Sequence, residues 1–287
     1  MSVALGSSTG QDLYIIEPRA STPARSRRLL GGGRPKLRVW RFVIFVVTGL
    51  YFLVPLWAAF RFSLAYNGSG FSAKAYSSLA GQSGFGPAIW LSVQLAILTT
   101  VAELVVMVPT TIYIHLRLPK LKRVMDFVTS LPIVIPPVVL ILGVLDVAPA
   151  RLKATPFLLA LEYVVLAVPF CYRALDAGVR SMDLQTLVDA SRSLGGDWFT
   201  TMRKVLLPNM RVAILSATVL TVALVLGEYT MASLDQYQTF PTWIVLFESQ
   251  NSHVSVAASL MALFLTWVVL IAISMVGRSR KTSGGTR

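Results

Sequence analysis

The chain has 287 residues, 55% of them hydrophobic and only 14% charged, with a mean hydropathy of +0.67. A soluble domain carries about 25% charged residues, so this composition excludes disordered, collagen-like and coiled-coil chains and speaks against a soluble enzyme. The remaining charge is 26 Lys+Arg against 13 Asp+Glu, a net of +13, a balance that fits nucleic acid, an anionic membrane surface or the cytoplasmic loops of a membrane protein; the apolar content favours the last.

Residues 1–41 are rich in Gly, Ser and Pro and carry eight Lys and Arg. A secretory signal would place its apolar core near residue 1, with a small-residue cleavage site behind it. Neither pattern occurs, so the segment reads as a mostly disordered, basic cytoplasmic tail. A bilayer-spanning helix needs about 20 mostly apolar residues, and six such runs follow: Phe42–Phe60, Ala88–Ile114 (with Glu103), Val124–Leu145 (with Asp126), Pro156–Tyr172 (with Glu162), Val212–Leu234 (with Glu228) and Val254–Val276. The runs are continuously apolar. That argues against a membrane barrel, whose strands alternate over about ten residues. The expected fold class is all-α, a polytopic membrane protein with six transmembrane helices between residues 42 and 276 and a short tail at 277–287.

Lys and Arg concentrate on the cytoplasmic side of a membrane protein. Here 22 of the 26 fall in the N-terminal tail, the connections at 115–123 and 173–211, and the C-terminal end. The alternate connections hold only Arg61, Lys74, Arg151 and Lys153. Both termini are therefore expected in the cytoplasm of a multi-pass protein of the cell (cytoplasmic or inner) membrane. The net +13 is then largely a topology signal, and nucleic acid is not an expected partner.

The 39-residue polar connection from Arg173 to Arg211 is the most informative segment. Leu184, Leu187, Val188 and Leu194 fall on one helical face, with Gln185, Asp189 and Arg192 on the other. Gly195-Gly196-Asp197 breaks the pattern, and Asp197 is placed to cap a second helix. In that helix Trp198, Met202, Val205 and Leu206 share a face from which Arg203 and Lys204 point away. Leu207-Pro208 ends it or turns it into the fifth span. Such a hairpin either packs on the spans alone or offers a docking platform to a cytoplasmic partner.

Asp189-Ala190-Ser191, Gly195, and Val205 followed by Leu207-Pro208 resemble the signature loop of ABC-importer permeases. That loop reads Glu-Ala-Ala, three residues, Gly, nine residues, Ile, one residue, Leu-Pro. The spacing matches in this chain, with Asp189 for Glu, Ser191 for the second Ala and Val205 for Ile as departures. The resemblance implies a type I ABC importer permease fold, with the coupling loop at 181–210. It also implies partners: two cytoplasmic ATP-binding subunits, a paralogous second permease subunit, an extracytoplasmic solute-binding protein and membrane lipid. No Gly-x4-Gly-Lys-Ser/Thr run occurs in the chain. ATP and magnesium would then be bound by the partner ATPase, with no cofactor in this chain and no enzyme activity of its own. Leu131–Val139, which holds Pro132, Pro136 and Pro137, and Leu226-Gly227-Glu228-Tyr229 resemble the polyamine (spermidine/putrescine), phosphonate, ferric-iron and sulfate/molybdate permeases, with the polyamine type closest.

Ionisable groups inside spans are costly and point to pathway or pairing roles. Glu228 reads equally as a carboxylate of the translocation path and as a structural pair. For Glu103 and Glu162 the structural reading leads. His115 and His253 sit at opposite boundaries, and with Cys171 as the lone cysteine they make no metal site. Trp40, Trp57, Trp90, Trp243 and Trp267 read as interfacial belt residues. Asp235 to His253 reads as an outer loop, either solvated or in contact with a binding protein. Two other classes compete. An ion-coupled carrier would use an internal repeat, and none is evident. A membrane enzyme would cluster carboxylates around a metal, whereas these acids are scattered singly along the chain.

Overall fold

The computed structural model describes residues 35–66, 70–153 and 155–278. The chain divides into two units, Met1–Tyr51 and Phe52–Arg287. The first unit is described from Pro35 onward as the beginning of helix α1 (Pro35–Leu64). The basic segment is therefore helical from Pro35, a residue preorganised for a helix start. Its residues 1–34 lie outside the described ones.

The second unit takes in the end of α1 and fourteen further α-helices. α2 (Lys74–Ser77) precedes the long α3 (Phe85–Arg117). α4 (Lys122–Val128), α5 (Leu131–Val134) and α6 (Pro137–Val147) follow, then α7 (Ala150–Lys153) and α8 (Pro156–Arg180). The polar connection contains α9 (Leu184–Ser193), α10 (Trp198–Thr200) and α11 (Leu207–Asn209). α12 (Arg211–Gly227), α13 (Thr230–Leu234), α14 (Phe240–Glu248) and α15 (Ser252–Arg278) complete the order. Every regular element among the described residues is helical.

Four helices are long and apolar enough to cross a membrane alone: Val39–Leu64, Phe85–Arg117, Pro156–Arg180 and Ser252–Met275. The third expected span is instead bent by 99° between Pro119–Val134 and Pro137–Val147. The cause is local. A residue before proline is pushed out of the helical region, and Ile135 and Pro136 both stand in that position, with ψ of 121° and 137°. The fifth span also departs from a single helix. Its helix ends at Gly227, Glu228 is extended, and Trp198–Asn209 meets Arg211–Gly227 at 72°. Counting each bent pair as one span gives six. α8 runs eight residues beyond the expected Tyr172 end, to Arg180. An apolar count stops at Arg173, but this turn is held by polar groups, with Asp176 accepting from Arg180 Nε at 2.7 Å.

Core packing is carried by α3, α8 and α12, which pack on one another. Met107, Val108 and Ile112 of α3 meet Cys171, Tyr172, Leu175 and Val179 of α8 and Ala213 and Ala217 of α12. Leu184, Val188, Leu206 and Met210 of the polar connection join the same cluster. Toward the other end, Leu95 and Ala96 pack with Ile141, Leu159, Tyr163, Val225 and Met231.

The expected outer loop from Asp235 to His253 is a correction. It contains α14, whose Phe240, Trp243 and Phe247 are buried against Ala88 of α3 and Val254 and Ala257 of α15. Trp243 is no belt residue. It is 1% exposed, stacks on Phe247 at 4.8 Å and donates its indole N–H to the Ser83 carbonyl. Trp57, Trp90 and Trp267 are exposed, as belt residues would be. His253 stacks on Phe62 and its Nδ1 lies 2.9 Å from the Phe62 carbonyl, which holds the start of α15 to the end of α1.

Candidate functional site

The 181–210 segment folds as two short helices around a glycine corner. α9 starts where Asp183 caps it: Thr186 donates its amide at 3.3 Å and its hydroxyl at 2.7 Å to the Asp183 carboxylate. Those bonds hold the Asp183 carboxyl below its ordinary range. One face of α9 is anchored, with Leu184 and Val188 buried in the core. The other carries Asp189, exposed, with both carboxylate oxygens accepting from Gln185 Nε2 at 3.2 Å. Ala190 beside it is exposed and Ser191 is buried.

The corner is built by two glycines with different tasks. Gly195 has φ of +79°, a left-handed conformation that side chains with a Cβ resist. Its amide bonds the Arg192 carbonyl at 2.8 Å, and the Gly196 amide bonds the Ser191 carbonyl at 2.9 Å, closing a Schellman-type helix end. No atom lies within 4 Å of where a Gly195 Cβ would stand, so its demand is conformational. Gly196 is the packed one, since a Cβ there would meet the Ser191 carbonyl at 2.8 Å.

Asp197 then caps α10, accepting from the Thr200 amide at 2.9 Å, as the sequence leads one to expect. The hydroxyl and amide of Thr200 together lower its carboxyl from the ordinary value. The Ser191 and Thr201 hydroxyls meet at 2.8 Å in a buried contact that ties the two arms of the hairpin. Thr201 escaped the sequence reading because its partner is ten residues away. Thr201–Leu206 is a π-helical turn. Pro208 has no N–H to offer the preceding turn, and wide turns of this kind relieve such misfits. The Asn209 side chain supplies a donor in its place, bonding the Val205 carbonyl at 2.7 Å. Met202, Val205, Leu206 and Leu207 face the core, while Arg203, Lys204 and Pro208 are exposed.

Two assignments of the apolar face fail at the corner. Leu194 is 89% exposed, and Trp198 also lies outside the core. Leu194 is the C-terminal cap of α9, where the helical phase stops. Leu194, Trp198 and Phe199 together leave an apolar tip exposed around Gly195 and Gly196.

The two carboxylates proposed for a path lie elsewhere and apart. Glu228 is half-buried at the α12–α13 break, where its carboxylate accepts from the amides of Met231 at 3.0 Å and Ala232 at 3.4 Å. Glu103 has no exposed surface. It accepts from the Thr221 hydroxyl of α12, so it faces helix packing rather than an open channel.

Solved structures share this fold. A bacterial ABC transporter involved in import of the acidic polysaccharide alginate is 13% identical, with a TM-score of 0.66 over 86% of this chain and 98% of that one. The alginate transporter bound to its pentasaccharide-loaded periplasmic protein is 14% identical, with a TM-score of 0.67 over 87% and 98%. The inward-facing methionine ABC transporter is 17% identical, with a TM-score of 0.56 over 67% and 94%. The fold is thus the all-α type I permease fold of ABC importers. The family model of the binding-protein-dependent transport system inner membrane component matches residues 107–280, more than half of the chain. The chain belongs to that family, the membrane-embedded permease subunits of ABC importers.

Proposed function

We propose that this chain forms half of the translocation path of an ATP-driven importer for a small organic cation of the polyamine (spermidine/putrescine) type. In this reading 181–210 is the coupling loop, with Asp189, Ala190, Ser191, Gly195, Val205, Leu207 and Pro208 as its framework. The observation that carries it is the exposed tip of Leu194, Trp198 and Phe199, held by two capped helices and a left-handed Gly195. An apolar tip on a rigid support suits a helix-in-groove contact. Its occupants would be two cytoplasmic ATPase subunits that bind ATP and magnesium. A paralogous second permease, an extracytoplasmic solute-binding protein and membrane lipid complete the assembly. A cytoplasmic location for both termini and the loop is supported by the 22-to-4 division of Lys and Arg.

Cargo identity rests on less. The solved neighbours carry alginate and methionine in their descriptions, so the fold does not select the cargo. The polyamine reading is supported by the Leu131–Val139 and Leu226–Tyr229 segments and by the half-buried carboxylate of Glu228. In this reading Glu228 lines the path and Glu103 is the buried tie between helices.

The test replaces Leu194 and Phe199 by Asp in the assembled transporter. Uptake and co-purification with the ATPase should be lost while the permease stays in the membrane. Full uptake by the double variant would refute the docking assignment. Cysteine introduced at position 195 in a Cys171→Ala background should resist an impermeant reagent applied from outside the cell.

A further inference from the structure

The acids that the sequence scatters gather at one end of the bundle. α8 runs toward the coupling segment and α12 runs away from it, so the start of α8 and the end of α12 lie at the opposite end. Glu162 sits near the start of α8, Glu228 at the α12–α13 break and Asp235 at the C-terminal cap of α13. Glu162 is only 1% exposed, and neither of its carboxylate oxygens has a hydrogen-bond partner among the described residues. Tyr163 beside it shares a buried cluster with Met231 and Ala232 of α13, the helix between Glu228 and Asp235, and its hydroxyl has no hydrogen-bond partner among the described residues. One oxygen of Asp235, Oδ2, is likewise buried without a partner among the described residues.

Carboxylates gathered in a low-dielectric region repel one another, and an unpaired one is costly. Among the described residues no Lys, Arg or His pairs with this group. The ion pairs among the described residues all involve Asp176, whose partners are His115, Lys122 and Arg180 at the coupling end. Glu228 and Asp235 keep some exposed surface, which leaves the group open to a solute. A compact metal ion does not fit, because no set of three such ligands among the described residues converges closely enough to hold one. Spaced acceptors suit an extended cation whose charges sit on separate nitrogens, each ammonium donating up to three N–H bonds. The unpartnered Tyr163 hydroxyl beside them adds an oxygen acceptor.

We propose that Glu162, Glu228 and Asp235, with the Tyr163 hydroxyl, form a subsite for the ammonium groups of the cargo at the end of the permease opposite the coupling loop. The assignment rests on the cationic-cargo reading above and adds the residues that would hold the charge.

The test uses the complete transporter (both permeases, ATPase and binding protein) in proteoliposomes, with radiolabelled spermidine as the probe. Wild type, Glu162→Gln, Glu162→Asp and Asp235→Asn are compared for uptake and for ATP hydrolysis per assembled complex. Loss of one charged acceptor should lower the spermidine molecules taken up per ATP about tenfold. Glu162→Asp, which keeps the charge, should recover most of that loss. If Glu162→Gln does not assemble, the partly exposed Asp235→Asn decides. Wild-type coupling in both neutral variants would overturn the subsite and leave the cargo reading intact. Uptake and hydrolysis falling by the same factor would mark a structural role and also overturn it. A wild-type complex that transports neither spermidine nor putrescine would overturn the cargo reading, and the subsite with it.

Discussion

The two ends of the bundle treat their carboxylates in opposite ways. At the end that carries the 181–210 hairpin Asp183 and Asp197 cap helices, Asp189 accepts from Gln185, and Asp176 pairs with His115, Lys122 and Arg180. At the other end Glu162 has no partner among the described residues, and Glu228 accepts from the backbone amides of Met231 and Ala232. The first arrangement is satisfied within the chain and makes a rigid support. The second leaves charge unanswered and is suited to meeting something from outside.

The largest expected effect strikes the rigid end. Gly195→Val or Gly195→Ile forces a β-branched side chain into a φ of +79°, a penalty of about 1–2 kcal/mol or more in a left-handed site, and should abolish ATP-driven uptake. Gly195→Asn tolerates that conformation better and should keep much of the activity. Equal loss in both variants would mean that the corner needs space rather than backbone geometry. Uptake assayed beside co-purification with the ATPase separates the two cases.

At the far end, support comes from packing instead of caps. Trp243→Ala should destabilise the protein by about 3–5 kcal/mol, the usual cost of emptying a buried tryptophan site, because the ring is 1% exposed and stacked on Phe247. Thermal unfolding in detergent would measure it. A shift within error would mean that α14 is held by other contacts.

A smaller effect tests the middle of the bundle. Thr221→Val removes the donor that Glu103 uses, leaving a buried carboxyl oxygen unanswered at a cost of about 1–3 kcal/mol. The pair Thr221→Val with Glu103→Leu should recover part of the loss, since replacing both partners with apolar groups relieves the orphan. Non-recovery would show that Glu103 has a task besides packing.

The smallest effect concerns pH. Folding lowers the Asp183 and Asp197 carboxyls below their ordinary value of 3.8. A lowered carboxyl stabilises the fold above its unfolded value and loses that contribution as pH falls through the folded one. The hairpin should therefore loosen only in acid, below about pH 4. Asp197→Asn, which can still accept from the Thr200 amide, should remove the Asp197 share of that dependence and leave the Asp183 share. Protease accessibility of the loop against pH would record it.

Much of this was legible in the chain itself. The lack of charge and the long apolar runs led to an all-α membrane protein because backbone groups in lipid must bond internally. The 195–208 spacing led to the family, and Asp197 was recognised as a cap because capping is local in sequence. What failed was nonlocal or depended on breaks. A hydropathy window does not register the bend at Ile135-Pro136, and it stops α8 at Tyr172, eight residues before its end at Arg180. It also left α14 as a loop, although Thr239-Phe240-Pro241 followed by an apolar run was a helix-start signal.

The sequence by itself determined class, spans and loop. Length, apolarity and the spacing of small residues are properties of neighbours along the chain, and the physics that reads them acts over a few turns. Only the tertiary structure decided which carboxylates are answered. Glu103 and Thr221 are 118 residues apart and meet, and α8 brings Glu162 to the α13 segment that Glu228 and Asp235 flank. Electrostatic pairing acts across space and is invisible to any window. It is the packing of α3, α8 and α12 that turns scattered acids into a buried tie and an open cluster.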